Sequence, residues 1–237
     1  MIPKIVHIAW KSKDILKNDS EFIRNCIRNV VELSGWQAVV YDDQDIDTYL
    51  QQQLDRQDYL RLKDRHIVEK CDVWRLIKLY NEGGLYVDID RLCNVSLNDI
   101  IPNHIKVVLP TSGNTNFSHD FMCSEPKNPM FAIVLSLNLQ RRAMGSDNIY
   151  YLGPQTYFHG VTKSLIGQIV DVNPREDIFN GIRREIEKSG FILTYKETSI
   201  YDTFIYRPHA PQIDFDHETA KRDFYASFNL KHWTNEW

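Results

Sequence analysis

Lys70-Cys71-Asp72-Val73-Trp74-Arg75-Leu76-Ile77-Lys78-Leu79-Tyr80-Asn81-Glu82-Gly83-Gly84-Leu85-Tyr86-Val87-Asp88-Ile89-Asp90 reads as a helix, a glycine stop and a short strand. Val68, Cys71, Ile77 and Tyr80, with Val73, Trp74, Leu76 and Leu79 between them, make a broad apolar face at helical spacing. Gly83-Gly84 ends the helix, because glycine enters left-handed backbone without steric cost. From Leu85 the pattern changes to period two: Leu85, Val87 and Ile89 face one way, Tyr86, Asp88 and Asp90 the other. Two carboxylates on one side of a strand stand about 6.5–7 Å apart at the backbone. Such a pair repels unless a cation or a proton joins it. An all-oxygen site with open positions suits Mg²⁺ or Mn²⁺ carrying a phosphate. On the helix, Asp72 and Arg75 are three apart and share a face, which puts an acid and a guanidinium just upstream.

Taken singly, an Asp-x-Asp after an apolar strand is a common solvated strand end, and Asp72/Arg75 is an ordinary surface helix pair. The combination is specific. A helix with Asp-x-x-Arg, followed by Gly-Gly-Leu-Tyr-x-Asp-x-Asp, resembles the core motif of retaining glycosyltransferases of the GT-A fold. It is most similar to family 32, the group with a sugar-binding region containing DXD. That group includes fungal mannosyltransferases and bacterial capsule or lipooligosaccharide transferases, and the clostridial glucosylating toxins share its signature. The resemblance implies one α/β catalytic domain over residues 1–237, with a mostly parallel nucleotide-binding sheet flanked by helices.

Composition agrees with a single globular domain. The 237 residues suffice for a full α/β core, and 43% hydrophobic with 25% charged residues is ordinary. A net charge of −4 argues against a general attraction to nucleic acid. Cys26, Cys71, Cys93 and Cys123 show no C-x-x-C spacing, so neither zinc nor a redox pair is indicated; Cys26 and Cys71 fall on apolar helix faces, where buried free thiols are expected. No run of about 18 apolar residues occurs, and Met1 to Trp10 is too polar for a signal peptide. The expectation is a soluble, cytoplasmic enzyme, or one whose anchor lies outside this chain.

Outward from the motif, strand and helix alternate. Ile2 to Trp10 reads as a strand with Pro3 at its start. Asn18 or Asp19 caps a helix to Leu33, Gly35 stops it, and Trp36 to Tyr41 is a second strand. Asp42-Asp43-Gln44-Asp45 opens a short helix, its acids suiting the helix N-terminus. Gln51 to Asp64 is polar and helix-prone. Beyond the motif, Ile105 to Leu109 and Asn116 to Ser124 read as strands. Asn128 caps and Pro129 starts a helix reaching Arg141-Arg142. This order argues for a layered domain with a largely parallel sheet, whose ligands sit beyond the carboxyl ends of its strands.

The resemblance extends to three further stretches. The opening Ile2-Pro3-Lys4-Ile5-Val6-His7-Ile8-Ala9-Trp10 matches the family's first strand, which implies that His7, Ala9 and Trp10 border the nucleotide and that Trp10 stacks on the base. Read without the family, Trp10 is a core tryptophan. Gly153-Pro154, in a loop entering a helix at Thr156, resembles a segment bordering the sugar pocket. The chain ends His232-Trp233-Thr234-Asn235-Glu236-Trp237, similar to the family's His-x-Trp closing segment. This implies that His232 joins the metal and that Trp233 and Trp237 cover the donor. Lys231 stands where a second histidine can occur. The plain alternative is a tail docked by aromatic burial.

The activity implied is transfer of a hexose from a UDP- or GDP-sugar to a hydroxyl of a glycan or glycoconjugate, with Mn²⁺ or Mg²⁺ and with retention. Asp72, Arg75, Asp88 and Asp90 carry the chemistry; Asp88, Asp90 and His232 are the metal ligands. The resemblance places Asp72, Arg75 and Asp88 among the donor contacts as well. A lipid-linked acceptor would bring the protein to a membrane surface. Two other readings compete. Haloacid-dehalogenase-like phosphatases also carry Asp-x-Asp after an apolar strand, but near the chain start and with a later acidic pair. A non-catalytic nucleotide- or glycan-binding protein would not need Asp72, Arg75, Asp88 and Asp90 together.

Overall fold

The computed structural model describes residues 1–91, 96–101, 106–108, 111–112, 116–117, 119–145, 154 and 216–230. In chain order it contains β1 (Ile5–Ala9), a short 3-10 helix (Lys13–Lys17), α1 (Glu21–Ile23), a π-helical stretch (Arg24–Arg28) and α2 (Asn29–Ser34). Then come β2 (Gln37–Tyr41), α3 (Asp43–Gln53), α4 (Arg56–Leu62), α5 (Ile67–Glu82) and β3 (Gly84–Val87). After these lie α6 (Leu97–Ile100), β4 (Val107–Val108), β5 (Thr111–Ser112), β6 (Asn116–Phe117), β7 (Phe121–Ser124), α7 (Pro129–Ala143) and α8 (His217–Ser227).

Local chemistry sets the boundaries. Ser20, one residue beyond the expected cap, accepts from Ile23 N at 3.3 Å, while Asn18 Oδ1 takes Ser20 N at 2.8 Å. Gly35 ends α2 in left-handed backbone at φ 65°. Asp42 and Asp45 form a reciprocal capping box on α3. Asn128 caps α7, with Pro129 in its first turn.

The main sheet has the order β2-β1-β3-β7-β4. β1 runs parallel to both β2 and β3, whereas β7 is antiparallel to both β3 and β4. The parallel half is the part expected from the alternating strands and helices. The antiparallel half arises after β3. There residues 116–124 do not form one strand: Asn116–Phe117 pairs with Thr111–Ser112 in a separate small sheet, and the chain restarts at Phe121.

Alternation along β1 and β3 divides the core into two layers. Val6, Ile8, Leu85 and Val87 face Phe22, Ile23, Ile27 and Phe224 on one side. Tyr86 faces Trp74, Leu79, Ile46 and Phe131 on the other. Each large side chain removed from water contributes about 1.5–3 kcal/mol. The five-stranded sheet thus lies between two helical layers.

Gly84 fixes the junction between α5 and β3. Its φ is 93°, and a Cβ there would come within 2.7 Å of the Ile5 carbonyl oxygen. Glycine alone meets both requirements, so α5 passes directly into the centre of the sheet.

Candidate active site

Helix α5 is buried along most of its length, including Glu69, Asp72, Arg75 and Lys78. Charges in such a position need partners. Glu69 pairs with Arg142 of α7 at 2.6 Å. Lys78 lies over the rings of Tyr41 and Tyr49, at 4.5 and 4.6 Å from their centroids. The Asp72/Arg75 pair is therefore a core feature and not a surface helix pair. Arg75 Nη2 sits 2.8 Å from Asp72 Oδ1, with both side chains 4% exposed.

Arg75 gathers the site. Its Nε donates to the Cys71 carbonyl at 3.3 Å and its Nη1 to the His119 carbonyl at 2.8 Å. Nη1 also lies 3.5 Å from Asp88 Oδ1, and Cζ is 4.4 Å from the Tyr86 ring centroid. The Tyr86 hydroxyl donates to the same Asp88 oxygen. Beyond its ion pair with Arg75, buried Asp72 Oδ1 accepts no hydrogen bond among the described residues, and His119 Nε2 stands 3.7 Å from it.

Strand β3 stops at Val87, short of the expected Asp90. Arg91 N bonds back to the Asp88 carbonyl at 3.0 Å, which closes a turn over Asp88-Ile89-Asp90-Arg91. The two carboxylates therefore do not share one strand face. Asp88 meets Arg75 and Tyr86, whereas Asp90 Oδ2 meets Lys221 Nζ at 2.8 Å and the Tyr225 hydroxyl at 3.2 Å, both from α8. Asp88 N bonds to the Asp120 carbonyl at 2.8 Å, and Asp120 pairs with Arg91 at 2.9 Å. Burial pushes the Asp88 carboxyl up to about 6. Asp90 and Asp120 push in the same direction, and Arg75 opposes them.

Trp10, one residue past the end of β1, is packed against α8. Its ring stacks on Phe224 at 5.4 Å and meets the edges of Tyr225 and Phe228 at 5.6 Å each. In this conformation its neighbours are those expected of a core tryptophan. His7 does not join the carboxylates. Its Nε2 donates to the Gly83 carbonyl at 2.9 Å, and its Nδ1 accepts from Tyr41 Oη at 3.2 Å. Burial lowers its pKa, which keeps it neutral. Ala9 packs on the α5 side of the sheet. Pro154 is buried; Gly153, His232, Trp233 and Trp237 lie outside the described residues.

Tyr86, His119, Asp120, Lys221 and Tyr225 were not among the expected site residues. Tyr86 had a legible signal, since it shares the period-two face of Asp88. The others reach the site only through long-range packing.

The donor set suits a divalent cation in part. Asp88 and Asp90 are hard oxygen donors in a field that also contains Asp120, whose charge together with that of Asp90 adds to the burial that raises the Asp88 carboxyl. Among the described residues no group of three His, Cys, Asp or Glu side chains has metal-holding geometry. Substrate oxygens or residues beyond the described set would complete the coordination. Cys26, Cys71 and Cys123 are free and buried, as expected of structural thiols.

Residues 17–106 match the family model described as "Glycosyltransferase sugar-binding region containing DXD motif", a span that holds Asp72, Arg75, Asp88 and Asp90. Inositol phosphoceramide mannosyltransferase 1 of Schizosaccharomyces pombe is 25% identical over 128 residues, 54% of this chain and 40% of that protein. An uncharacterized glycosyltransferase of Acanthamoeba polyphaga mimivirus is 24% identical over 184 residues, 75% of this chain and 70% of its own length. The solved PaToxG glycosyltransferase shares the fold, with a TM-score of 0.50 at 17% identity over 85% of this chain and 84% of that one. The chain spans only 35–40% of the length of the first fungal relatives. No helix among the described residues is long and apolar enough to cross a membrane. Residues 17–106 are thus similar to the DXD-containing sugar-binding region of glycosyltransferases, and the fold is of the GT-A type.

Proposed function

We propose that this chain is the catalytic region of a metal-dependent, retaining glycosyltransferase that moves a hexose from a nucleotide-sugar to a glycoconjugate hydroxyl. The observation that supports it most is the Asp72–Arg75–Tyr86–Asp88 cluster, buried up to a partly open Asp88 and set at the carboxyl ends of β1 and β3 beside Asp90. Ligands of open α/β sheets bind at such an edge.

In this reading Asp72 and Arg75 hold the hydroxyls of the donor sugar. Asp72 Oδ1 is ion-paired with Arg75 at 2.8 Å and accepts no further hydrogen bond among the described residues, which leaves a lone pair for a sugar hydroxyl. Arg75 is fixed by the Cys71 and His119 carbonyls and by Tyr86, which presents its guanidinium in one orientation. Tyr86 positions Asp88 through its hydroxyl. Asp88 and Asp90, with His232 from the C-terminal segment, would hold a divalent cation, which when bound supplies Lewis-acid stabilisation of the departing diphosphate. Gly153, Pro154, Trp233 and Trp237 would border the donor. His7 is left to structure, its ring being engaged by Gly83 and Tyr41.

The fungal relatives are named as mannosyltransferases acting on inositol phosphoceramide. Mannose as the donor sugar, and a lipid carrying a phosphoinositol headgroup as the acceptor, are therefore the first substrates to try. Such an acceptor would bring the protein to a membrane surface.

The test is thermal shift against a panel of UDP- and GDP-sugars, with and without Mn²⁺, followed by detection of released nucleotide. Stabilisation by one nucleotide only with Mn²⁺, about 2.7 kcal/mol at a ligand concentration 100 times its Kd, is expected. No shift and no release with any donor would overturn the assignment.

A further inference from the structure

Asp88, Asp90, Asp120 and Asp72 bring four negative charges to the turn, and Arg75, Arg91 and Lys221 bring three positive ones. Two of these cations are local: Arg75 is three residues from Asp72 on α5, and Arg91 lies inside the turn itself. Lys221 differs, because it comes from α8, an element distant in sequence. Its ammonium sits 2.8 Å from Asp90 Oδ2, with side chains 18% and 17% exposed. The Tyr225 hydroxyl reaches the same oxygen at 3.2 Å. Lys221 and Tyr225 are four apart, so one helix face presents both donors to one carboxylate.

Helix α8 has a second attachment of a different kind. Phe224 stacks on Phe22 at 4.7 Å and on Trp10 at 5.4 Å, and Lys11 Nζ donates to the Phe228 carbonyl at 2.7 Å. The helix thus has an apolar seat on β1 and α1, and a polar clasp on the second aspartate of Asp-x-Asp. A cation bound through Asp90 would bring a second positive charge to the carboxylate that Lys221 already holds. Two positive charges on one carboxylate repel each other at short range.

We propose that Lys221 and a divalent cation compete for Asp90, so that α8 is a latch whose polar clasp opens when the cation binds. This rests on the reading of Asp88 and Asp90 as cation ligands. The charge balance favours exchange. With Lys221 on Asp90 the cluster sums to −1, three positive against four negative charges. A divalent cation brings the sum to +1, which leaves the Lys221 ammonium available to an anionic diphosphate.

The experiment measures Mn²⁺ binding by electron paramagnetic resonance on the full chain, for wild type, Lys221→Met and Lys221→Arg, with and without UDP or GDP. Hydrogen exchange over residues 217–227 is followed in parallel. Competition predicts about fivefold tighter Mn²⁺ binding by Lys221→Met, the scale expected for loss of one competing ion pair. Lys221→Arg should stay close to wild type. In wild type, Mn²⁺ should speed exchange across α8. Equal Mn²⁺ affinity in Lys221→Met and wild type, or α8 exchange unmoved by Mn²⁺, would overturn the latch and leave the cation site standing. No Mn²⁺ binding by any of the three proteins would overturn the cation site and the latch together. The wild-type exchange measurement decides the matter even if Lys221→Met fails to fold.

Discussion

Arg75 lies over the face of Tyr86, with its Cζ 4.4 Å from the ring centroid, and the Tyr86 hydroxyl donates to Asp88. One tyrosine therefore joins the helix-borne guanidinium to the first aspartate of Asp-x-Asp. Tyr86→Phe keeps the ring under Arg75 and removes only the donated hydrogen bond. We expect a stability loss of about 1 kcal/mol and a fall in kcat of about tenfold, because Asp88 loses its positioning contact. Urea denaturation and donor-turnover kinetics would check both. Unchanged kcat would show that Tyr86 serves packing alone.

Arg75→Met tests the core pair differently. It leaves Asp72 without its ion-pair partner at 4% exposure. A loss of about 3–5 kcal/mol is expected for an uncompensated buried charge. The double change Asp72→Asn with Arg75→Met should recover much of that stability but no turnover. Equilibrium denaturation of the three variants gives the coupling between the two residues.

The pH dependence follows from Asp88. Its carboxyl is raised from an ordinary 3.8 to about 6, chiefly by burial. Between these values the folded protein holds a proton that the unfolded chain has released. Stability of the metal-free protein should therefore fall as pH rises from about 4 to 6. Water at the open third of the side chain moderates the slope. Asp88→Asn should flatten this part of the melting-temperature profile measured in EDTA. Added Mn²⁺ should stabilise the wild type more at pH 7 than at pH 5.

Gly84→Ala would put a methyl group 2.7 Å from the Ile5 carbonyl oxygen at a φ of 93°. The clash is with backbone in the middle of the sheet, so it cannot be relieved by a side-chain movement. A loss of about 3 kcal/mol or more is expected, measurable by thermal or chemical unfolding. Gly35→Ala is the control: its φ is 65°, yet nothing lies within 4 Å of the added Cβ. A loss of only about 1 kcal/mol is expected there.

What the sequence determined by itself is what short range decides. Helix α5, its glycine stop, the Asn128-Pro129 start of α7 and the acidic start of α3 at Asp42 are made by residues within a few positions of each other. The pairing of Asp72 with Arg75, and of Tyr86 with Asp88, belongs to the same range, since helix and strand periods place them together. Even here, one backbone bond from Arg91 to Asp88 turned the chain and separated the two carboxylates that the period alone had aligned. Only the tertiary structure decided the rest. The antiparallel return of β7 beside β3 carries His119 and Asp120 to the rim of the sheet. The docking of α8 sets Lys221 and Tyr225 on Asp90, and stacks Phe224 on Trp10. These contacts come from the burial of faces that many partners could cover, and no local period names the partner. Composition and spacing expose a face that must be covered; packing of the whole chain selects what covers it.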